Sequence, residues 1–308
     1  MNPPDKVVLE HAGALGDFLL AWPALVAVAA HFRGREIYAH VRPAHQAWLR
    51  PWAKPCPPEL RRALDARFAS DTWPKALEGV LVVRPGLANR PEIPESPWFW
   101  FLRGVKDSVE VSPRDHYQNA LAARGIPWLD APAETLFQNH FGGHAPLGQT
   151  ALLFPGAGHP DKCWPLSQME ALAGKLANHG LSPLFVLGPA EEERGVQPLG
   201  NCLRPDSIEA LGTALRQARF VVGPDCGPLH LAAMHGVPGV ALFGPTSPRQ
   251  WGPHGLSILT AGLACAPCAA LTSGHFAPEC PRPLPCLADI TVDRVLTALA
   301  PWLDTRGA

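Results

Sequence analysis

Short apolar runs alternate along the chain with stretches of helical spacing, and glycine or proline marks most of the junctions. Lys6-Val-Val-Leu-Glu10 reads as a short buried strand. His11-Ala-Gly-Ala-Leu-Gly16 breaks it with two glycines, and an apolar helical segment starts at Asp17, where an N-cap or first-turn carboxylate meets the helix dipole favourably. Further strands are predicted at 35–41, 80–84 and 108–111, with helices between them and another over 115–124. Within 43–101, proline and tryptophan recur without a period, and 51–58 and 97–101 read as loops.

The second half repeats the alternation more cleanly. A strand at 150–154 is followed by a helix over 165–179, a strand at 184–187, a helix over 207–218, a strand at 220–223, a helix over 228–235 and a strand at 239–243. A closing helix is predicted over 292–303, with Pro301 near its end. Such alternation predicts an α/β protein of two doubly wound units, each a parallel sheet with helices on its faces. The Gly- and His-rich stretch 138–149 is the linker candidate, which puts the boundary near 145 and the domains at 1–145 and 146–308.

A length of 308 residues suits two such domains, each with its own core, and 47% hydrophobic against 17% charged residues fits a well-buried globular chain. With 26 Lys and Arg against 27 Asp and Glu there is no net field for nucleic acid, so an anionic substrate has to be met by local groups. The uncharged run 18–30 is shorter than the roughly 20 residues of a membrane span and contains Pro23. The start lacks the basic-then-apolar pattern of a secretory signal, and a cytoplasmic location with mostly reduced thiols is expected.

Four loops of the second half follow strands: Pro155-Gly-Ala-Gly158, Gly188-Pro-Ala-Glu191, Gly223-Pro-Asp-Cys-Gly227 and Gly244-Pro-Thr246. In an open parallel sheet such ends share one edge, where ligands bind. The glycines admit a close backbone approach, and the helix after Gly227 offers amides and a positive dipole to a phosphate, so a nucleotide diphosphate fits there. Lys162 either neutralises phosphate without a metal or is a solvated surface lysine. His230 donates to phosphate or is structural; Asp225 orients donors or, the preferred reading, caps the helix. Glu191 holds a ribose diol or belongs to a solvated helix face with Arg194. Asp17 is a candidate base for an acceptor hydroxyl, with a plain helix cap as the alternative.

Other chemistries leave no pattern. Neither a glycosidase carboxylate pair, a Gly-x-Ser-x-Gly elbow, a Walker lysine nor a strand-linked Gly-x-Gly-x-x-Gly is present, which sets aside hydrolase, P-loop and NAD oxidoreductase readings. Cys265, Cys268, Cys280 and Cys286 fall in a proline-rich loop; a metal site is conceivable there, but the spacings fit no zinc ribbon, and free thiols or a disulfide are preferred. The aromatic run 98–101 covers an acceptor or serves as a packing anchor.

Taken in order, Gly13-Ala-Leu-Gly-Asp17 with Ala21-Trp-Pro-Ala24, Pro155-Gly-Ala-Gly158 with Lys162-Cys-Trp-Pro165, and Asp225-Cys-Gly-Pro-Leu-His-Leu-Ala-Ala233 running to Ala241-Leu-Phe-Gly-Pro-Thr246 resemble the heptosyltransferases of glycosyltransferase family 9. The resemblance implies the GT-B architecture, two Rossmann-like domains facing across a cleft, and inverting transfer that uses no metal and no cofactor. By the same resemblance Asp17 is the general base beside the acceptor-side glycines Gly13 and Gly16. Lys162, Asp225, Cys226, Gly227 and His230 bind the donor, and Glu191 holds its ribose. Cys226 stands where the family usually has Ser or Thr. The implied donor is ADP-heptose and the implied acceptor a lipopolysaccharide-core glycolipid, with peripheral contact at the inner membrane. A nucleotide-sugar epimerase on the same scaffold and a non-catalytic nucleotide-sugar or glycan-binding protein are the alternatives.

Overall fold

The computed structural model describes residues 3–69, 71–87, 89–106, 109–268 and 286–303. They form two compact units, Met1–Pro132 and Ala133–Ala308.

The first unit carries strands β1 (Lys6–His11), β2 (Glu36–Val41), β3 (Lys54–Pro55), β4 (Val80–Gly86) and β5 (Phe99–Arg103), and helices α1 (Leu15–His31), α2 (Pro58–Ala66) and α3 (Pro113–Ala122). Among the described residues its sheet has the order β3-β2-β1-β4-β5, and each pairing is parallel. That is the Rossmann order, reversing between β1 and β4. β1 is apolar and buried at Val7, Val8 and Leu9, as a central parallel strand covered on both faces must be. α1 is buried from Phe18 to Ala29, and Trp22 in its middle donates its indole N–H to the Trp48 carbonyl at 2.9 Å.

Three expectations for this unit are corrected. The run 97–101, read as a loop, supplies β5, which pairs with β4 from Val82 opposite Phe99 onward. Phe99 and Leu102 are buried there, and Pro97 falls just ahead of the strand, where no ladder bond is lost. The strand expected at 108–111 is absent over 109–111, while 107 and 108 lie outside the described residues. The run 51–58, also read as a loop, contains the two-residue edge strand β3 and the start of α2, whose first residue is Pro58.

In the second unit the elements are α4 (Ala133–Phe141), β6 (Thr150–Leu153), α5 (Leu166–Asn178), β7 (Ser182–Val186), α6 (Pro189–Glu193), β8 (Cys202–Leu203), α7 (Ile208–Gln217), β9 (Phe220–Pro224), α8 (Gly227–Met234), β10 (Gly239–Phe243), α9 (Pro248–Trp251), β11 (Ser257–Thr260) and α10 (Val292–Leu303). Its sheet has the order β11-β10-β9-β6-β7-β8, again parallel throughout and reversing between β6 and β9. Leu172 and Leu176 of α5 pack with Val295 and Leu299 of α10, Phe185, Phe220 and Leu242 in one buried cluster.

The division after Pro132 falls ahead of the boundary expected near 145. α4 takes up the start of the stretch read as linker, and it is held inside the second unit. Gln138 donates to the Met234 carbonyl at 3.3 Å, and the Phe137 ring meets the edge of His235.

Candidate functional site

Because β10, β9, β6 and β7 are neighbours and all parallel, the loops that follow them emerge side by side at one edge of the sheet. The strand order reverses between β6 and β9, the place where a doubly wound sheet opens a crevice. After β6 the chain runs through Gly156 and Ala157 to a single 3-10 turn, Pro160–Lys162, and then to the fully buried Trp164, whose indole donates to the Ile290 carbonyl at 2.9 Å. Trp164 therefore fixes the base of the segment that carries Lys162.

Asp225 follows β9. It is buried, and Oδ2 of its carboxylate receives the Lys162 ammonium at 2.6 Å and the Thr246 hydroxyl at 2.9 Å. The capping role preferred for Asp225 is thus not the one it has: the N-cap of α8 is Cys226, with extended backbone and no side-chain cap bond. Proline within the first two positions of α8 sets the helix start one residue later than that reading requires. Burial pushes the Cys226 thiol up to about 12, against a hydrogen bond from the Leu229 backbone and the Lys162 charge and with the Asp225 and Glu191 carboxylates. His230 is the fourth residue of α8 and is buried.

Glu191, third in α6, accepts the Gly188 amide at 2.8 Å in a local capping arrangement. Its carboxylate fills the space beside Gly156, so a Cβ there would displace the Glu191 side chain. Arg194, which sequence reasoning leaves as a surface residue, donates to the carbonyls of Ala157 at 2.7 Å and Gly158 at 3.3 Å and so ties α6 to the β6 loop. Thr246 was equally missed as a side chain; both links are set by strand order, which no local pattern reports.

In the first unit Asp17 is the third residue of α1, whose N-cap is Ala14; it is a first-turn carboxylate and not the cap. A Cβ on Gly13 would stand 3.2 Å from Asp17 Oδ2 and 2.7 Å from His11 Cε1, so glycine lets the turn close on both side chains. Gly16 is the second residue of the same helix. Burial, with the charges of His45, Arg84 and Arg42, lowers His11 to about 3, and its Nδ1 accepts the Gly13 amide at 3.3 Å. On α3, burial and the Asp17 charge hold the Tyr117 phenol protonated.

A charge network beside this turn is one that no motif announces. Glu10 is flanked by His40, which is opposite it in register, by Arg84 and by the fully buried Arg67, with which it makes a short contact. Burial alone would raise the Glu10 carboxyl, but the hydrogen bond from His40 and the charges of Arg67 and Arg84 outweigh it and hold the group below its usual value. Arg67 also lies over the rings of Phe68 and Phe99.

Of the cysteine loop, Cys265 and Cys268 are exposed and Cys286 is buried beside Gly244. Cys280 lies outside the described residues. Among the described residues no group of three or more His, Cys, Asp or Glu could hold a metal ion, and no helix is long and apolar enough to cross a membrane.

Residues 131–273 match the model of "Glycosyltransferase family 9 (heptosyltransferase)". The matched segment is a little under half of the chain. It contains Lys162, Glu191, Asp225, Cys226, Gly227 and His230, whereas Asp17 precedes it. Lipopolysaccharide heptosyltransferase 1 of Escherichia coli (strain K12) is 31% identical over 114 residues, which cover 35% of this chain and 36% of that protein. The match thus spans about a third of the curated relative's length. An E. coli ADP-heptose lipopolysaccharide heptosyltransferase II superposes with a TM-score of 0.64 at 18% identity, over 97% of this chain and 98% of that one. An E. coli heptosyltransferase solved with ADP gives a TM-score of 0.63 at 19% identity, over 96% and 99%. At these identities the likeness is one of fold, and it covers both units of the chain.

Proposed function

We propose that this protein is an inverting, metal-independent glycosyltransferase that moves heptose from ADP-heptose to a lipopolysaccharide-core glycolipid at the cytoplasmic face of the inner membrane. The observation that carries the reading is the gathering of Lys162, Asp225 and the uncapped start of α8 at the switch point of the second sheet. A lysine and a free helix start are what a departing diphosphate needs, since both stabilise negative charge without a metal. The family 9 match over these same residues, and a structural neighbour that binds ADP, support the nucleotide assignment.

In the proposed reaction an acceptor oxygen attacks the anomeric carbon from the face opposite the diphosphate. The new C–O bond forms as the bond to the diphosphate oxygen breaks, and the acceptor proton passes to the Asp17 carboxylate. The diphosphate leaves with its charge met by the Lys162 ammonium and the Gly227 amide, while Glu191 accepts hydrogen bonds from the ribose hydroxyls. Gly13 serves this scheme by admitting a backbone close to Asp17 Oδ2.

Calorimetric titration with ADP-heptose and with UDP-, GDP- and other ADP-sugars tests the proposal. Binding of ADP-heptose that is weakened by Lys162→Ala and kept by Asp17→Asn, with transfer abolished in Asp17→Asn, is the expected result. Unaltered transfer in Asp17→Asn removes the base. Donor consumption without any acceptor favours an epimerase, and the absence of nucleotide-sugar binding ends the donor-site reading.

A further inference from the structure

Asp225 directly follows β9, the strand between β6 and β10. Lys162 comes from beyond β6 on one side and Thr246 from beyond β10 on the other, and both meet the same oxygen, Oδ2, at 2.6 and 2.9 Å. Thr246 is 8% exposed, and the side chains of Asp225 and Lys162 are 10% and 19% exposed, so Lys162 stands at the solvent end of the row. An aspartate carboxylate turns about a broad, roughly two-fold torsion, and a lysine ammonium sits on a flexible four-carbon stem. Neither group holds a position by itself.

The Thr246 hydroxyl supplies the missing constraint. Its proton is committed to Oδ2, because a carboxylate can only accept, and this fixes the plane in which Oδ2 is presented to Nζ. We infer that Thr246 is a positioning residue for the donor site: through Asp225 it holds the Lys162 ammonium at the loop edge where the donor's diphosphate would lie. This rests on the donor-site reading above and adds to it a residue that does not touch the donor. Asp225 Oδ2 holds the Lys162 ammonium, which on donor binding would bridge that oxygen and a phosphate. No bond is made or broken.

The test uses the full chain with Thr246→Val, which keeps the shape and removes the hydroxyl, Thr246→Ser, which restores it, and Asp225→Asn. ADP is the probe. Thr246→Val is expected to weaken ADP about tenfold, as loss of one charge-assisted hydrogen bond does, and Thr246→Ser to stay within about twofold of wild type. Thr246→Val should add little in the Asp225→Asn background, since the two changes act along one path. A second readout needs no nucleotide. Acylation of Lys162 by an amine-directed reagent, followed by peptide mass spectrometry, should run about threefold or more faster in Thr246→Val, relative to the exposed Lys54, as the ammonium leaves its carboxylate.

Wild-type ADP affinity and Lys162 acylation in Thr246→Val would overturn the inference, and so would full additivity of Thr246→Val with Asp225→Asn. If wild type takes up no ADP, the donor-site reading fails by itself, and the acylation rates still decide whether Thr246 positions Lys162.

Discussion

The Glu191 carboxylate occupies the space where a side chain at residue 156 would stand, so Gly156 is the residue that lets α6 close on the β6 loop. The two elements are joined a second time by Arg194, whose guanidinium holds the Ala157 and Gly158 carbonyls.

Gly156→Ala should therefore disable the donor site without unfolding the unit. A methyl group there forces Glu191 off the Gly188 amide, breaking a charge-assisted bond at 2.8 Å and shifting the loop that leads to Lys162. The expected loss in ADP affinity is about tenfold or more, with the thermal midpoint lowered only slightly. Calorimetry and a melting curve check both parts. Unchanged ADP affinity would show that this loop has no share in the donor site.

How much of this was legible in the sequence depends on the range of the interaction. β9 and β10 are buried on both faces, so they stand out as unbroken apolar runs, and the spacing in α10 declares it directly. β5 was hidden because its aromatic run follows Pro97, and α4 because its end merges with a Gly- and His-rich stretch. At the site, Lys162 and Asp225 were legible as motif residues. Their contact and the bond from Thr246 were not, since strand order brings together residues from three separate loops. The cap position was misread because Asp225 and Cys226 both precede the helix, and only the backbone decides which of them is the cap.

The Glu10 and Arg67 pair makes the first unit sensitive to a single truncation. Arg67 is fully buried, and Glu10 nearly so, in a place where desolvation is costly for any charge left alone. Arg67→Ala removes one of the cations that hold the Glu10 carboxyl ionised and also empties the space between Phe68 and Phe99. A loss of about 3 kcal/mol in urea unfolding is expected, and less for the double change Arg67→Met with Glu10→Met, which leaves no charge behind. Equal losses in the single and double variants would contradict the argument.

Stability should fall on mild acidification in both units. His11 is lowered to about 3 by burial and by the charges of His45, Arg84 and Arg42. Burial, with help from Arg42, lowers His45 to about 4, and burial, against a hydrogen bond to Gly142, lowers His235 to about 4. Below the ordinary histidine value of 6.5 the unfolded chain takes up protons that these folded sites refuse, so each contributes a slope of up to ~1.4 kcal/mol per pH unit, with stability decreasing toward acid. Glu10 acts in the same direction at lower pH: its folded value lies below 4.5, so its stabilisation is present above that and is lost as the pH falls through the folded value. Urea midpoints at about pH 7.5 and about pH 5.5 should differ clearly, and His235→Gln should lessen the difference for the second unit. A flat profile would mean that these rings are hydrated.

Cys226 offers the opposite experiment, a gain. Its thiol, pushed up to about 12 chiefly by burial, stays neutral at any working pH, and a neutral thiol is a weak hydrogen-bond donor. The residue is the N-cap of α8, and as a thiol it caps more weakly than the oxygen that Ser or Thr normally supplies. Cys226→Thr therefore places a hydroxyl where either the helix amides or a bound phosphate can use it. Used as a cap, it should raise stability by about 1 kcal/mol and leave ADP affinity nearly unchanged. Used on the phosphate, it should tighten ADP about threefold to tenfold with little change in stability. Calorimetry and urea melts on the one variant separate the two uses. Alkylation gives the complementary check on wild type: at about pH 8 the exposed Cys265 should react well before Cys226, because the protonated thiol is the unreactive form. Fast alkylation of Cys226 would contradict the neutral thiol from which both expectations follow.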